Sequence, residues 1–289
     1  MPAPLFGDTL WSDSLEQKAQ RVAPFLRWAG GKRWLLPQIL DLIGDLPVRR
    51  YHEPFVGGGS VFFALDVSEQ AFLSDLNTDL IEVYRQVRDR PSDVTEELTK
   101  YENTSAEYYA ARASSPTAAV QRAARFIYLN HTSFNGIFRV NLKGEYNVPF
   151  GHRKNTNMPD EEWLLQASAR LQGSELNGAD FERALGDVEE GDLVFLDPPY
   201  TVAHNNNGFV KYNQHLFSFQ DQERLAIEIK KIRDAGANYI LTNAAHISIE
   251  NLFSPLGRKL TVSRRNVIGG KNATRGSAEE FVFTNIGDK

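Results

Sequence analysis

Arg50-Tyr51-His52-Glu53-Pro54-Phe55-Val56-Gly57-Gly58-Gly59-Ser60 is the stretch that decides the fold. Residues 50–54 read as a short strand, the three glycines as the tight turn at its carboxyl end, and 60–65 as a helix. Residues 71–74 then read as a second strand that carries Asp75 on its tip, and 79–88 as a helix. Strand, glycine turn, helix and a strand with a terminal acid make up the first half of a nucleotide-binding α/β sheet. The turn is no Walker loop, because no Gly-Lys-Ser/Thr follows, and Phe62 stands where a dinucleotide fingerprint needs its third glycine. Glycines at this point let backbone approach a ligand closely. Asp75 is placed for a ribose hydroxyl pair, although a tight turn followed by a capping aspartate reads the same way.

The second half of the sheet centres on Asp192-Leu193-Val194-Phe195-Leu196-Asp197-Pro198-Pro199-Tyr200. A short apolar run bounded by Gly191 reads as a buried strand, and it delivers Asp197 to the sheet edge. Two prolines forbid both the ladder and a prompt helix, so their carbonyls stay available. Tyr200 adds a flat π-face. An acid, outward carbonyls and an aromatic plate can seat a planar base and accept from its exocyclic amine. Further alternation follows: a strand near 176, a helix at 220–235, a strand at 239–242, and last strands around 259–263 and 280–283.

Between these halves the pattern is helical and polar, interrupted by a hairpin-like stretch in which 137–141 and 145–148 flank Lys143-Gly144. The expected organisation is therefore an appendage (1–22), a sheet domain in two parts (23–88 and 173–289), and a mostly helical insertion at 89–172. The chain has 289 residues, no cysteine and a formal net charge of −5. Disulfides, thiolate metal sites and a cysteine nucleophile are excluded. The six histidines show no metal-ligand spacing, so no metal is expected. The absence of a signal-like start or a long apolar run points to a cytoplasmic protein without a membrane span. Six basic residues against one acid lie in 121–154, and six against none in 258–275. Two basic patches on an acidic body fit a phosphate-binding face, and charge alone fits two solvated loops equally well.

Arg27-Trp28-Ala29-Gly30-Gly31-Lys32 forms a second glycine turn, flanked by an indole and an ammonium. Lys32 could neutralise a ligand carboxylate and Trp28 could cover a sulfonium. With Asp75 for the ribose, the parts suit S-adenosylmethionine.

These motifs occur in order: Phe25–Lys32, Glu53–Ser60, Asp75–Leu80, Asn135–Arg139 with Gly144–Gly151, and Asp197–Tyr200. In that order the sequence resembles the DNA adenine methyltransferases of the Dam type, the D12, α-arranged class, from about Phe25 to Phe283. The resemblance implies a Rossmann-like methyltransferase sheet with an inserted target recognition domain that contains a β-hairpin. It implies a cofactor site of Trp28, Gly30, Lys32, Phe55, Gly57, Gly59, Ser60, Asp75 and Asp197, with Asp180 on the adenine side. It implies catalysis by Asp197, Pro198, Pro199 and Tyr200 on an adenine flipped from duplex DNA within GATC. Phe134 would wedge into the duplex, and Asn135, Ile137 and Arg139 would read base edges, with Arg27 at an outer guanine. Around them His131, Asn141, Lys143, Lys271 and Arg275 are expected to face DNA, the last two from the loop 269–275. His131-Thr132-Ser133 and His152 depart from the family pattern, which puts phosphate contacts and the outer base of the site in question. A monomer is expected. Two other readings stay open here: an amino-methyltransferase acting on RNA, and an idle DNA-binding regulator.

Overall fold

The carboxyl ends of the parallel strands meet along one edge of a mixed sheet, and that edge is where the chemistry-bearing motifs gather. The computed structural model describes residues 22–141, 143–200, 217–265 and 277–287. Its strands are β1 (Arg50–Glu53), β2 (Gln70–Asp75), β3 (Glu175–Gly178), β4 (Leu193–Leu196), β5 (Asn238–Ala244), β6 (Arg258–Arg265) and β7 (Ser277–Thr284). They lie in the order β3-β2-β1-β4-β5-β7-β6. β1 to β5 run parallel, and β7 enters antiparallel between β5 and β6. β4 is buried at every position because it is central, with an apolar layer on each face. The chain leaves β1 toward β2 on one side and returns as β4 on the other. That reversal opens a crevice beyond the strand ends, the usual ligand position in such sheets.

The helices are α1 (Leu36–Ile43), α2 (Thr78–Asp89), α3 (Pro91–Leu98), α4 (Ser105–Ala113), α5 (Ala119–Thr132), α6 (Glu161–Leu171), α7 (Phe181–Ala184), α8 (Phe219–Asp234) and α9 (Ile247–Phe253). Local chemistry sets their starts. The Asn77 side chain accepts from the Leu80 N–H at the head of α2, and Ser218 with Asp221 forms a capping box for α8. Pro91 opens α3, where its missing N–H costs nothing.

Two expected elements take another form. The helix expected at 60–65 is a single 3₁₀ turn, Phe62–Ala64, in which Phe62 and Phe63 are both buried. Tertiary burial of adjacent aromatics wins there over helix propagation, whose nucleus is costly in so short a run. The hairpin at 137–148 is held by an isolated Val140–Tyr146 bridge and two flanking backbone bonds, Asn141 N–H to the Glu145 carbonyl (2.9 Å) and Asn147 N–H to the Arg139 carbonyl (3.1 Å). A lone two-stranded ribbon is marginal in water. This one is anchored instead by Phe138 and Tyr146, whose rings lie 5.7 Å apart.

The helices of 91–171 share a core with one face of the sheet. One continuous apolar cluster contains Tyr51 and Leu73 of the sheet, Tyr84 of α2, Ile127 and Tyr128 of α5, and Leu164 of α6. The opposite face is covered by α8 and α9 through Leu225, Ile229 and Phe253. Among the described residues, no helix is long and apolar enough to cross a membrane.

Candidate active site

Lys32 is only 3 % exposed, and a lysine is buried that deeply only when its charge is met. Its ammonium donates to the Gly30 carbonyl (2.8 Å) and lies 2.6 and 2.8 Å from the two carboxylate oxygens of Asp197. These contacts meet the charge inside the pocket. Lys32 therefore belongs to the Asp197 pocket. On the other side of Asp197, the Thr242 hydroxyl on β5 donates to Oδ1 at 2.7 Å. Tyr200 lies beside the pair, with its ring centre 4.9 Å from the Lys32 Nζ. Its hydroxyl donates to Glu280 on β7 at 2.6 Å. Burial, then the negative charges of Asp197 and Glu280, push that hydroxyl well above the ordinary tyrosine range, so it stays a donor.

The glycine turn lies one strand away. Asp75 accepts from the Gly57 N–H (3.1 Å) through one carboxylate oxygen and from the Asn77 N–H (2.9 Å) through the other. Burial raises its carboxyl from the usual value while these backbone bonds oppose the rise. Gly57 has φ +47°, and a Cβ there would come within 2.7 Å of the Trp28 ring. At Gly59, with φ +65°, a Cβ would meet the Tyr84 hydroxyl at 2.8 Å. The glycines are thus required first by the protein's own packing, which presses Trp28 onto the turn. Ser60 borders Gly31, with 3.4 Å from its Oγ to where a Cβ would stand. Phe55 packs on Phe181 (5.5 Å) and Phe217 (5.6 Å). Asp180 caps α7 and pairs with Arg224 at 2.8 Å, while the Ala179 N–H bonds the Asp75 carbonyl and keeps the two acids neighbours. A glycine turn, an acid at the strand tip with lone pairs to spare, and an aromatic wall fit a nucleoside with a charged tail.

The expected DNA-facing residues divide. Phe134 is half-exposed at 51 %, and Asn135 beside it has φ 56°, a left-handed conformation that asparagine tolerates. Arg27 joins them, since a Cβ on Gly136 would stand 2.9 Å from the Arg27 Cβ. Its backbone is clamped at both ends by Asn130, through the Arg27 N–H to Oδ1 (2.8 Å) and from Nδ2 to the Arg27 carbonyl (2.6 Å). Arg139 is exposed and donates to Asn147 Oδ1 at 2.7 Å, Ile137 is half-buried and Lys143 is exposed. Two residues do other work. Asn141 Oδ1 accepts the N–H groups of Lys143 (2.9 Å) and Glu145 (3.0 Å), so this side chain builds the turn. His131 is 3 % exposed and bonds the Phe25 carbonyl at 2.8 Å. It faces inward and so is withdrawn from the DNA-facing set. Lys271 and Arg275 lie outside the described residues.

Residues 28–267 match the profile of the D12 class N6 adenine-specific DNA methyltransferases. The chain is 35 % identical over 285 residues to "Type II methyltransferase M1.LlaDCHI" of Lactococcus lactis subsp. cremoris, covering 95 % of this chain and 99 % of that one. It is 34 % identical to "Type II methyltransferase M.MjaIII" of Methanocaldococcus jannaschii, over 85 % of this chain and 93 % of the relative. A "DNA adenine methylase" of Salmonella typhi is 32 % identical, over 89 % and 93 % of the two chains. The chain belongs to the D12 class. It is an adenine-specific DNA methyltransferase with the α/β sheet of S-adenosylmethionine-dependent enzymes.

Several residues of this methyltransferase's site escape sequence reasoning. Thr242 and Glu280 sit in strands with ordinary patterns, 45 and 80 positions away from Asp197 and Tyr200. Glu53 is visible at the tip of β1, yet its state is set by packing. It is buried, accepts from the Tyr51 hydroxyl at 2.9 Å, and burial pushes its carboxyl up to about 8. Phe138 stacks on Trp28 at 5.7 Å and on Phe126 at 5.1 Å, joining the glycine turn to α5. Among the described residues, no group of His, Cys, Asp and Glu could hold a metal ion.

Proposed function

We propose that this methyltransferase acts on adenine in duplex DNA at GATC, with the target base flipped into the pocket formed by Asp197, Pro198, Pro199 and Tyr200. The observation that carries this reading is the bracing of Asp197 by Lys32 and Thr242 at the tip of β4, with Tyr200 alongside. The exocyclic amine of adenine is a poor nucleophile because its lone pair is delocalised into the ring. Asp197 and the Pro198 carbonyl accept its two hydrogens and draw the nitrogen toward a pyramidal geometry. Asp197 is an acceptor already held by a cation and a hydroxyl, so it orients the amine, and the proton leaves after transfer. Extruding a base costs a few kcal/mol. Stacking on an aromatic ring returns about 1–3 kcal/mol, so Tyr200 offsets much of that cost.

S-Adenosylmethionine, when bound, supplies an electrophilic methyl group on sulfur. Trp28, Gly30, Lys32, Phe55, Gly57, Gly59, Ser60, Asp75, Asp180 and Asp197 are the residues proposed to hold it, and their task is orientation, which carries most of a displacement at fixed geometry. Phe134, Asn135, Ile137, Arg139 and Arg27 are proposed to meet the duplex, with 89–172 as the recognition unit between sheet segments 23–88 and 173–289. The protein is proposed to act as a cytoplasmic monomer.

The test is expression in a host lacking adenine methylation, followed by base-resolution mapping of N6-methyladenine. Signal confined to GATC is the expected result. Signal at another site sharing GAT keeps the pocket and overturns the assigned sequence. No signal from a soluble, cofactor-binding protein overturns the duplex-DNA reading.

A further inference from the structure

Beside Asp197, a second carboxylate lies within reach of the same cation. Glu280 is 8 % exposed, and its Oε2 stands 3.9 Å from Lys32 Nζ, which is already engaged with both oxygens of Asp197. One ammonium thus faces two acids, Glu280 buried and Asp197 half-buried. A carboxylate left without a donor at such depth is costly, and among the described residues Glu280 accepts from the Tyr200 hydroxyl at 2.6 Å. The bond is short, as charge-assisted O–H···O⁻ bonds are. Glu280 comes from β7, the antiparallel strand paired with β5, where Glu280 lies opposite Ala244. It therefore reaches Tyr200 from a rigid element rather than from the loop that carries the tyrosine.

We infer that Glu280 is a positioning residue of the methyl-transfer pocket. It fixes the ring plane of Tyr200 through the phenol, and the phenol in turn satisfies Glu280 so that Lys32 stays on Asp197. The two halves of this exchange are inseparable. Without the phenol, Glu280 is the nearest remaining acid to Lys32 and draws it from Asp197. Without Glu280, the Tyr200 ring loses the bond that sets its rotation against a stacked base. The inference rests on the proposed seating of the base on Tyr200 and adds the group that holds that plate in place.

The experiment is single-turnover methylation of a GATC duplex at saturating cofactor, together with calorimetric binding of S-adenosylhomocysteine. The variants are Glu280→Ala, Glu280→Gln, Tyr200→Phe and Tyr200→Phe with Glu280→Ala. Glu280→Ala is expected to slow transfer by about ten- to a hundred-fold, the range for losing one hydrogen bond to a charged group. Glu280→Gln recovers part of the rate, since its amide oxygen still accepts from the phenol. Binding of the cofactor product stays within about three-fold of wild type, because Glu280 acts through Tyr200. The double variant is no slower than the slower single one, as two groups acting as a unit require. Losses that multiply, or a Glu280→Ala enzyme at the wild-type rate, overturn the inference. Should Glu280→Ala fail to fold, Glu280→Gln decides, and a rate more than a hundred-fold down in a well-folded Gln variant also overturns it. A wild-type protein that never methylates adenine defeats the functional reading instead, whereas an active wild type with indifferent Glu280 variants defeats only this assignment.

Discussion

Around Asp197 the polar side chains are braced by partners remote in sequence, whereas Arg139 and Asn141 of the recognition hairpin are tied to near neighbours. Lys32 reaches Asp197 across 165 positions and Tyr200 reaches Glu280 across 80. On the recognition surface, Arg139 bonds Asn147 eight positions on, and Asn141 bonds Glu145 four positions on. Remote bracing fixes a geometry before any ligand arrives, which is what a reaction governed by orientation needs. Local bonds at the surface exchange readily with water and with base edges, so the reading face can adapt at little cost. The molecule spends its rigidity where chemistry happens and leaves recognition comparatively loose.

That contrast breaks most visibly at Asp197. Asp197→Ala removes the acceptor and leaves the buried Lys32 with the more distant Glu280, 3.9 Å away, as its counter-charge. Methyl transfer is expected to fall by roughly a thousand-fold, the upper end of what a single electrostatic group in a site supplies. S-Adenosylhomocysteine binding should remain measurable by calorimetry, and a near-normal rate would remove Asp197 from the mechanism. At the recognition face the expected effect is smaller and of another kind. Arg139→Ala should relax discrimination at one base of the site by about 1–3 kcal/mol, read as the ratio of kcat/KM for matched and mismatched duplexes. Overall affinity should move less than that ratio. An unchanged preference would mean that Arg139 serves only to brace Asn147.

The seam between the two regions is sharper still as a test. Trp28, Phe138 and Phe126 form a column from the glycine turn into α5, with neighbouring planes within 21° of parallel. Phe138→Ala removes the middle ring of a half-buried stack. It should cost about 1–3 kcal/mol of stability, below the 3–5 typical of a fully buried phenylalanine. Because the released surface belongs to Trp28, S-adenosylhomocysteine affinity should fall by several-fold as well. Calorimetry that finds lower stability with unchanged affinity would confine the column to packing.

How much of this was legible in the sequence differs between the same two regions. The tips of β1, β2 and β4 could be read because punctuation marks them: three glycines, Asp75, and the Pro198-Pro199 pair. Parallel strands with polar tips then converge by topology alone. Thr242 and Glu280 were not legible, because nothing local separates a threonine in β5 or a glutamate in β7 from any other strand residue. Their meaning arises from strand order, with β5 beside β4 and β7 beside β5. Lys32 was found without its protein partner, since a glycine-flanked lysine suggests a ligand carboxylate and only the fold brings Asp197 to it. The hairpin was placed correctly in sequence and overstated as a ladder, because it is held by one bridge and by aromatic packing, with Phe138 against Tyr146 across the ribbon and against Trp28 and Phe126 beside it. His131 shows the opposite failure. It adjoins Phe134 in the chain, but α5 turns it inward.

His131 also carries the smallest expected effect, one that separates packing from recognition by pH. Burial lowers the ring's proton affinity below the ordinary value of 6.5, with the Phe25 carbonyl bond opposing. Burial lowers His52 likewise, despite its 2.8 Å bond to Asp192. For such a group the unfolded chain takes up the proton first. Its share of stability is therefore complete above about pH 6.5 and is lost as pH falls toward the folded value. Glu53 runs the other way, because a carboxyl raised from 4.5 to about 8 contributes fully below 4.5 and loses that share as pH rises through 8. A wild-type curve mixes these trends, so the informative quantity is the difference between wild type and His131→Gln. The glutamine amide can still donate to the Phe25 carbonyl and does not titrate. The wild-type advantage in Tm should shrink between pH 7.5 and 5.5, while the variant's methylation site stays the same. Parallel Tm curves would show that His131 does not titrate within the fold. A changed site preference would return this side chain to the duplex and show that the recognition surface reaches deeper than its exposed residues.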